Sequence, residues 1–431
     1  MAQKAISEYV GKKLIFHHIK KYLPNFEDEY QGIQINEETL KTLKKLPKFP
    51  EGYVAKPDQL FGKRGKNKLI YADKSGKKAI TWIKENLNET AVVKRNDKDK
   101  GIKGTLTDFV IEPFIGHEVE FYVAFKTIRD KDIIYISTEG GIEIEENWDK
   151  VTEFKVPFKI DPIPLPQSLK KNMLDILGDE AAVEFISALY QVFKELNFTY
   201  IEINPLTVVE GHVYILDLVA RLDDTALYKR YADWTEPLGV KEFHFPTPFG
   251  KELSLAEKKI KELDNNSGAA LKFSLLNPQG RVWLLASGGG ASIILADTVG
   301  GLGHAADLAN YSDFSGNPNT DESAQFASII IQEMLKSRAK NKVLIIAGGI
   351  ANFTDVKATY RGVVDAIEQH GDAIKSQGIK IFVRRGGPNY KEGLAYVEDK
   401  ISDLEIPVEV HGPELYMTEI IALALTGNKE K

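Results

Sequence analysis

At 431 residues with 43% apolar side chains, the chain is long enough for two or three units that each bury a core, and zero cysteines exclude disulfides, thiolate metal sites and a cysteine nucleophile. A formal net charge of −6 argues against nucleic acid, because the basic clusters at 62–66 and 94–103 sit in an overall field that repels a polyanion. No stretch approaches the ~20 apolar residues of a membrane helix. The first seven residues lack the apolar core of a signal peptide, so a cytoplasmic protein with no membrane contact is expected.

Residues 7–23 place Val10, Leu14, Ile15, Ile19 and Leu23 at helical spacing, predicting an amphipathic helix whose role is packing. A short strand at 53–58 carries Lys56. The flexible basic loop Phe61-Gly-Lys-Arg-Gly-Lys66 and a strand at 69–71 follow, and a strand, a glycine loop and cations together suggest a cover for phosphates. The polar, glycine-broken segment 96–104 reads as a solvated loop. Further strands are expected at 109–115, 120–125 and 132–138, and after proline-rich 162–166 a helix at 181–196.

Residues 200–220 are two β-branched runs folded back at Glu210-Gly211, a two-residue hairpin turn. If Val209 faces His212, the register carries outward until Asn204 lies opposite Asp217, with Glu202 one pair further along on the same face. An amide oxygen and a carboxylate then converge. Two hard donors on neighbouring strands suit Mg²⁺, which takes few protein ligands and completes its shell with water and phosphate. The bland alternative is the polar outer face of an edge hairpin, which Pro205 would also suit. The company of Lys56, Arg64, Gly65 and Glu112, which no alternation of core and surface requires, favours the metal.

Between 231 and 263 the composition shifts to Pro246, Pro248 and Gly250 followed by a charged helical run, an interdomain connection with its boundary near Phe249. Two domains, 1–245 and 255–431, are expected. In the second, strands at 282–286, 343–346, 379–383 and 407–410 alternate with helices at 324–336, 356–369 and from Leu415, the order of a parallel sheet with helices on both faces. Its strands run into glycine-rich turns at 287–292, 347–355 and 384–390. Ligands of open α/β sheets bind at that edge, where helix N-termini offer free N–H groups. With Arg384, Arg385, Asn352 and Thr354 the edge suits a small polycarboxylate or phosphate, although Asn352 or Thr354 could instead cap its helix. His304, set among glycines, tempts as a phosphorylatable residue but reads better as a solvated or capping one. No Walker pattern occurs, so a nucleotide belongs to the first half.

The motifs Lys56-Pro-Asp-Gln-Leu with Arg64-Gly-Lys, Ile111-Glu-Pro-Phe-Ile with Glu120-Phe-Tyr-Val, Ser137-Thr-Glu-Gly-Gly-Ile-Glu-Ile, Glu202-Ile-Asn-Pro-Leu and Leu216-Asp-Leu resemble the ATP-grasp β subunits of acyl-CoA synthetases. Leu276-Asn-Pro-Gln-Gly-Arg-Val-Trp, Ser287-Gly-Gly-Gly-Ala-Ser, Ala309-Asn-Tyr, Ile350-Ala-Asn-Phe-Thr and Phe382-Val-Arg-Arg-Gly-Gly-Pro-Asn-Tyr resemble the citrate-binding portion of ATP-citrate lyase. The likeness runs from Ala5 to about residue 427.

This resemblance implies an ATP-grasp domain followed by a flavodoxin-like parallel-sheet domain that holds citrate. It puts ATP phosphates at Lys56, Arg64 and Gly65, adenine against the backbone around Pro113 and Ile115, ribose at Glu120, and Mg²⁺ on Asn204 and Asp217. Citrate falls to Gly316, Asn352, Thr354 and Arg385. Asp264, Ser267 and the carbonyl of Ala269 match a second ion site. His370 stands where relatives tend to have a tyrosine near citrate. The implied chemistry is ATP-dependent formation of citryl-CoA through a phosphohistidine on another chain, with Lys56, Arg64 and Arg385 carrying it here. The sequence ends at Lys431 without a match to the CoA-binding part, its phosphorylated histidine or the citrate-synthase-like part, so a second subunit and a hetero-oligomer are expected.

Three rival readings share parts of this pattern. The large subunit of a stand-alone citryl-CoA synthetase would carry every motif, whereas a succinate- or malate-CoA ligase β subunit would need fewer donors. A citrate sensor without catalysis would not need Lys56, Asn204 and Asp217.

Overall fold

The computed structural model describes residues 3–94, 99–141, 144 and 148–426. Residues 96–98 of the polar segment, and 142 and 143 of the Ser137 motif, lie outside them. The chain divides into two compact units, Met1–Glu252 and Leu253–Lys431. The first continues past residue 245: Phe243 and Phe245 meet Trp234 tilted at 5.1 Å and edge-on at 6.1 Å, and Phe249 packs on Phe61 at 4.5 Å.

Two larger antiparallel sheets and a two-stranded one build the first unit. The larger runs in the order Gln3–Ile6, Leu218–Asp223, Phe198–Val209, Phe121–Thr127, Lys131–Ser137, Thr152–Pro157, with His212–Ile215 added to the end of Phe198–Val209. Helices Glu8–His18 and Glu180–Glu195 share one apolar core with it. The smaller orders Ile33–Ile35, Phe109–Pro113, Tyr53–Pro57 and Tyr71–Asp73, and its core includes Ala79 and Ile83 of helix Gly76–Asn86. The opening helix tightens into a 3₁₀ turn at Ile19–Lys21, shorter than its spacing predicts.

The strand expected at 69–71 begins only at Tyr71. Backbone bonds from Asn67 to Lys63 and from Leu69 to Arg64 keep that stretch in a turn, with Lys63 and Lys68 left-handed at φ 60° and 57°. The solvated loop is also shorter than expected, since Ile102–Thr105 pairs with Thr90–Val93.

The hairpin keeps one register from its turn out to Tyr200 and Arg221, beyond which a bulge shifts it. Val209 pairs with His212 and Leu206 with Ile215; Asn204 N donates to Asp217 O at 3.2 Å, and pairing resumes at Ile203 and Leu218. It is not an edge, because Phe198–Val209 also pairs with Phe121–Thr127. Pro205, which has no N–H, sits where that second ladder skips from Ile203 to Leu206.

In the second unit, Val282–Ser287, Val343–Ile350, Lys380–Gly386 and Val408–His411 form a parallel sheet in that order. Alternation sorts its faces. Val282, Leu284 and Ala286 pack with Leu295, Val299, Ile420 and Ile421, whereas Trp283 and Leu285 pack with Phe326, Ile330, Val363 and Val397. The last helix starts at Glu419, four residues later than expected. Among the described residues no helix is long and apolar enough to cross a membrane.

Candidate functional site

Residues of both sheets in the first unit line a cleft of about 1210 Å³. Lys56, Arg64, Gly65, Pro113, Ile115, Glu120, Asn204 and Asp217, all expected at a nucleotide site, meet there with Glu112. Lys56, on strand Tyr53–Pro57, is 4% exposed. Its Nζ lies 2.7 Å from Glu8 Oε1, 3.0 Å from Glu112 Oε2 and 2.7 Å from the Leu216 carbonyl. Lys12 repeats the pattern, at 2.6 Å from Glu8 Oε1, 2.7 Å from Glu112 Oε1 and 3.2 Å from the same carbonyl. Arg64 Nη1 donates to Glu8 Oε2 and to Asp217 Oδ1, both at 2.9 Å. Burial pushes the Glu8 carboxyl upward, but the charges of Lys12, Lys56 and Arg64 outweigh it and hold the group well below the usual carboxylate range. Burial opposes the charge on Lys56, and Glu112, Glu8 and Asp217 more than restore it, leaving the ammonium above its ordinary value.

Glu8 and Lys12 are absent from the sequence reading, which gave their helix a packing role alone. Their signal was present: positions 8, 12, 15 and 19 fall on one helical stripe, so a charged pair shares the face of buried Ile15 and Ile19.

Asp58 lies behind this network. Its Oδ1 accepts from Tyr9 N at 3.0 Å, Oδ2 has no partner among the described residues, and burial, reinforced by Glu8, pushes the carboxyl from 3.8 up to about 7. Between those values the folded chain binds more protons than the unfolded one, so stability falls as pH rises through the window. Asp58→Asn, whose amide oxygen can keep the Tyr9 bond, is expected to raise the first unit's melting temperature by ~2–5 °C at pH ~8 and hardly at all at pH ~4. Melts of equal displacement at both pH values would contradict this.

Asn204 and Asp217 both front the cleft, as the hairpin register predicts. The Asn204 amide closes a two-point contact with the Gly141 backbone, accepting from Gly141 N and donating to Gly141 O at 3.0 Å. The Asp217 side chain stays 43% exposed while giving Oδ1 to Arg64. An amide oxygen and an accessible carboxylate fit Mg²⁺, a hard cation that keeps part of its shell for water and phosphate. Near Glu120 the structure adds His117, whose ring joins the Ile115 carbonyl at 2.8 Å to Glu120 Oε1 at 3.0 Å. Exposed Ile70, Phe114, Val119, Trp148 and Val219 give the cleft an apolar lining suited to a planar base, another feature the sequence reading missed.

At the carboxyl edge of the parallel sheet, Arg385 is buried, and its Nη1 donates to Ser287 O at 3.1 Å and Gly349 O at 3.2 Å. A Cβ on Gly348 would lie 2.1 Å from that nitrogen, so only glycine leaves the guanidinium its place. Arg384 points to the opposite face, donating to Leu415 O at 2.9 Å and Gly348 O at 2.7 Å. The cap of helix Val356–Gln369 is Asp355, accepting from Ala358 N at 3.0 Å, which frees Asn352 and Thr354 from that duty. Asp355 also gathers the loops. Its N–H donates to Asn317 Oδ1 at 3.3 Å, and its Oδ2 accepts from Asn389 Nδ2 at 3.0 Å. The turn at Gly316, the 352–354 loop and the stretch after Arg385 therefore share one edge.

Other expected residues lie elsewhere. His370 ends that 14-residue helix, about 21 Å from its start, with its ring 2.9 Å from Ser328 Oγ. Asp264 Oδ1 accepts from Leu271 N at 2.8 Å and Oδ2 pairs with Lys272. Ser267 donates to Glu322 at 2.6 Å and accepts from Ala269 N at 2.9 Å. The Lys272 ammonium already supplies a cation there, so these three residues hold an ion only by displacing it. His304 is bound to Asp307 at 2.8 Å, which also takes Arg281 at 2.9 Å.

Comparison with known proteins agrees with both halves of this geometry. Residues 2–234 match the model of the ATP-citrate synthase ATP-grasp domain, and residues 251–427 match that of the ATP citrate lyase citrate-binding family. ATP-citrate synthase alpha chain protein 2 of Arabidopsis thaliana is 41% identical over 435 residues, covering 99% of this chain and 98% of the relative. The Homo sapiens ATP-citrate synthase is 37% identical over 434 residues, and there the match spans 38% of the longer relative. Among solved structures, ATP citrate lyase from Methanothrix soehngenii in complex with citrate and coenzyme A superposes with a TM-score of 0.81 at 38% identity, covering 98% of this chain and 100% of that one. The eight cleft residues lie in the first matched region and the Arg385 edge in the second, and on that footing the chain belongs to the ATP-citrate lyase family, as an ATP-grasp domain joined to a citrate-binding domain.

Proposed function

We propose that the chain is the nucleotide- and citrate-binding subunit of an ATP-citrate lyase, acting with a second subunit that brings the CoA-binding part, the phosphorylated histidine and the citrate-synthase-like part. The observation that carries this reading is the convergence of Lys56, Arg64, Asn204 and Asp217 on one cleft of an ATP-grasp domain that shares its chain with a citrate-binding domain.

In this reading the γ-phosphoryl of ATP passes to the partner's histidine and ADP leaves. A citrate carboxylate then takes the phosphoryl group, giving citryl phosphate, and the CoA thiol displaces phosphate to form citryl-CoA. Asn204 and Asp217 would hold Mg²⁺, which when bound supplies positive charge against the phosphates. Arg64, its Nη1 anchored on Glu8 and Asp217, is the cation nearest to use, and Lys56 reinforces the field behind it. In the second unit Arg385 and the backbone N–H groups of the surrounding turns orient the reacting carboxylate.

The reading is tested by mixing the purified chain with its partner subunit and following ADP formation, with label on the γ-phosphate. ATP alone should release only the stoichiometric ADP of histidine phosphorylation, sustained ADP formation should require citrate and CoA together, and covalent label should appear on the partner and never on this chain. Stable label here, at His304 for instance, would sink it.

A further inference from the structure

The cations of the cleft are not presented freely to a ligand. A lysine ammonium has three N–H groups, and those of Lys56 meet Glu8, Glu112 and the Leu216 carbonyl. Glu8 is the acceptor common to Lys12, Lys56 and Arg64: Oε1 lies 2.6 Å from Lys12 and 2.7 Å from Lys56, and Oε2 lies 2.9 Å from Arg64. The Leu216 carbonyl, gripped by both lysines, precedes Asp217, whose Oδ1 takes Arg64. One carboxylate in the first turn of the opening helix thus reaches, through three cations, both Arg64 and the backbone that carries Asp217.

We propose that Glu8 is a positioning residue of the nucleotide site, holding the Lys56 ammonium in place and fixing Arg64 where it meets phosphate. The proposal rests on the reading of the cleft as an ATP site. The two carboxylates that share Lys56 have different roles. The Glu112 side chain is 11% exposed and fronts the cleft, whereas that of Glu8 is 0% exposed and does not. When a phosphate oxygen comes to Lys56, Glu112 is the acceptor that can be exchanged and Glu8 the one that stays.

The balance of charge agrees. Lys12 on the helix, Lys56 on its strand and Arg64 on the loop face Glu8, Glu112 and Asp217, three against three, with Asp58 kept neutral below about 7. Tyr9 and Tyr30, both raised by burial first and by the neighbouring carboxylates second, complete the titratable groups around them. Removing Glu8's charge leaves one buried cation in excess, and Lys56, with Glu8 among the anions that keep it protonated, gives up its proton more readily.

The test uses Glu8→Gln, Glu8→Asp and Lys56→Gln in the chain assembled with its partner, with kcat and the KM for each substrate measured from ADP release. Glu8→Gln is expected to lower kcat about 100-fold and leave KM for citrate unchanged. Glu8→Asp, which keeps the charge one methylene shorter, should recover part of that loss and lower kcat about tenfold. A role in folding alone would lower the melting temperature of Glu8→Gln and leave kcat alone, which overturns the proposal. If Glu8→Gln does not fold, wild-type kcat in Glu8→Asp overturns it equally. Lys56→Gln separates the two ideas: if it is fully active, the ATP reading of the cleft fails, and if it is inactive while both Glu8 variants match wild type, only the role of Glu8 does.

Discussion

Asp217→Asn is expected to cut ATP-dependent ADP formation by about 10²- to 10³-fold while citrate affinity stays within about twofold of wild type. The asymmetry follows from where the residue stands. Asp217 faces Asn204 across the hairpin, is 43% exposed at the cleft and donates no proton of its own, so its carboxylate is the formal negative charge that this pair offers a cation. It also balances Arg64, whose Nη1 it accepts at 2.9 Å. Asparagine keeps an oxygen at the same reach and removes the charge, so the metal is held less tightly and, among the described residues, Arg64 keeps Glu8 alone as an ion-pair partner. Citrate affinity is expected to be spared because the site proposed for it, around Arg385, belongs to the other unit. Activity should return partly as Mg²⁺ is raised about tenfold or more. An equal loss of citrate binding, measured by calorimetry on the same preparation, would refute the assignment.

How much of this could be read from the chain differs sharply between its parts, and the differences have physical causes. The hairpin was legible because a two-residue turn fixes register and strand periodicity does not drift, so one pairing at Val209 and His212 determines the facing of Asn204 and Asp217 five pairs away. The buried ion network was not. A helical Glu and Lys four apart usually form a solvated pair, and only the three-dimensional approach of Lys56, Arg64 and Glu112 turns Glu8 and Lys12 into core residues.

The second unit shows the same divide. Its four parallel strands announce themselves as apolar runs. Strand Asn310–Ser315 does not, because it joins Val282–Ser287 through side chains: Leu284 N donates to Asn310 Oδ1 at 2.9 Å, Asn310 Nδ2 returns to Leu284 O at 2.8 Å, and Ala286 N donates to Ser312 Oγ at 3.1 Å. Polar residues at alternate positions there look like a solvent face and are in fact buried. The helix cap was left open between Asn352 and Thr354 for a similar reason, as the alternative to a ligand role, and the residue that caps was not named. Asn352, Thr354 and Asp355 all have capping side chains, and composition cannot choose among them, whereas the turn of the backbone selects Asp355.

Arg385→Lys is expected to lower citrate affinity about 100-fold or more, and wild-type protein is expected to bind citrate without detectable binding of succinate. Burial depresses the Arg385 guanidinium, but an arginine keeps its charge under such pressure where a lysine surrenders it more readily. Its Nη1 is anchored on the Ser287 and Gly349 carbonyls, and Nε and Nη2 have no protein partner among the described residues, so one fork can take a carboxylate through two parallel bonds. A lysine at this position has one ammonium in place of the planar fork, so the nitrogen that would meet the carbonyls is the same one that would have to meet the ligand. Selectivity follows from counting donors. In the proposed site citrate would offer three carboxylates and a hydroxyl to Arg385, the Asn352 amide, the Thr354 hydroxyl and the N–H groups near Gly316, and succinate would offer two carboxylates only. Asn352 and Gly316 are exposed, so a donor left unpaired there is rehydrated and succinate loses only the contacts it cannot make: about 1.5–3 kcal/mol for the missing carboxylate and about 0.5–1.5 kcal/mol for the missing hydroxyl, roughly one to three powers of ten together. Calorimetry with each acid on wild type and on Arg385→Lys decides the matter: succinate binding as tight as citrate, or a lysine variant that binds citrate normally, would mean that the pocket lies elsewhere.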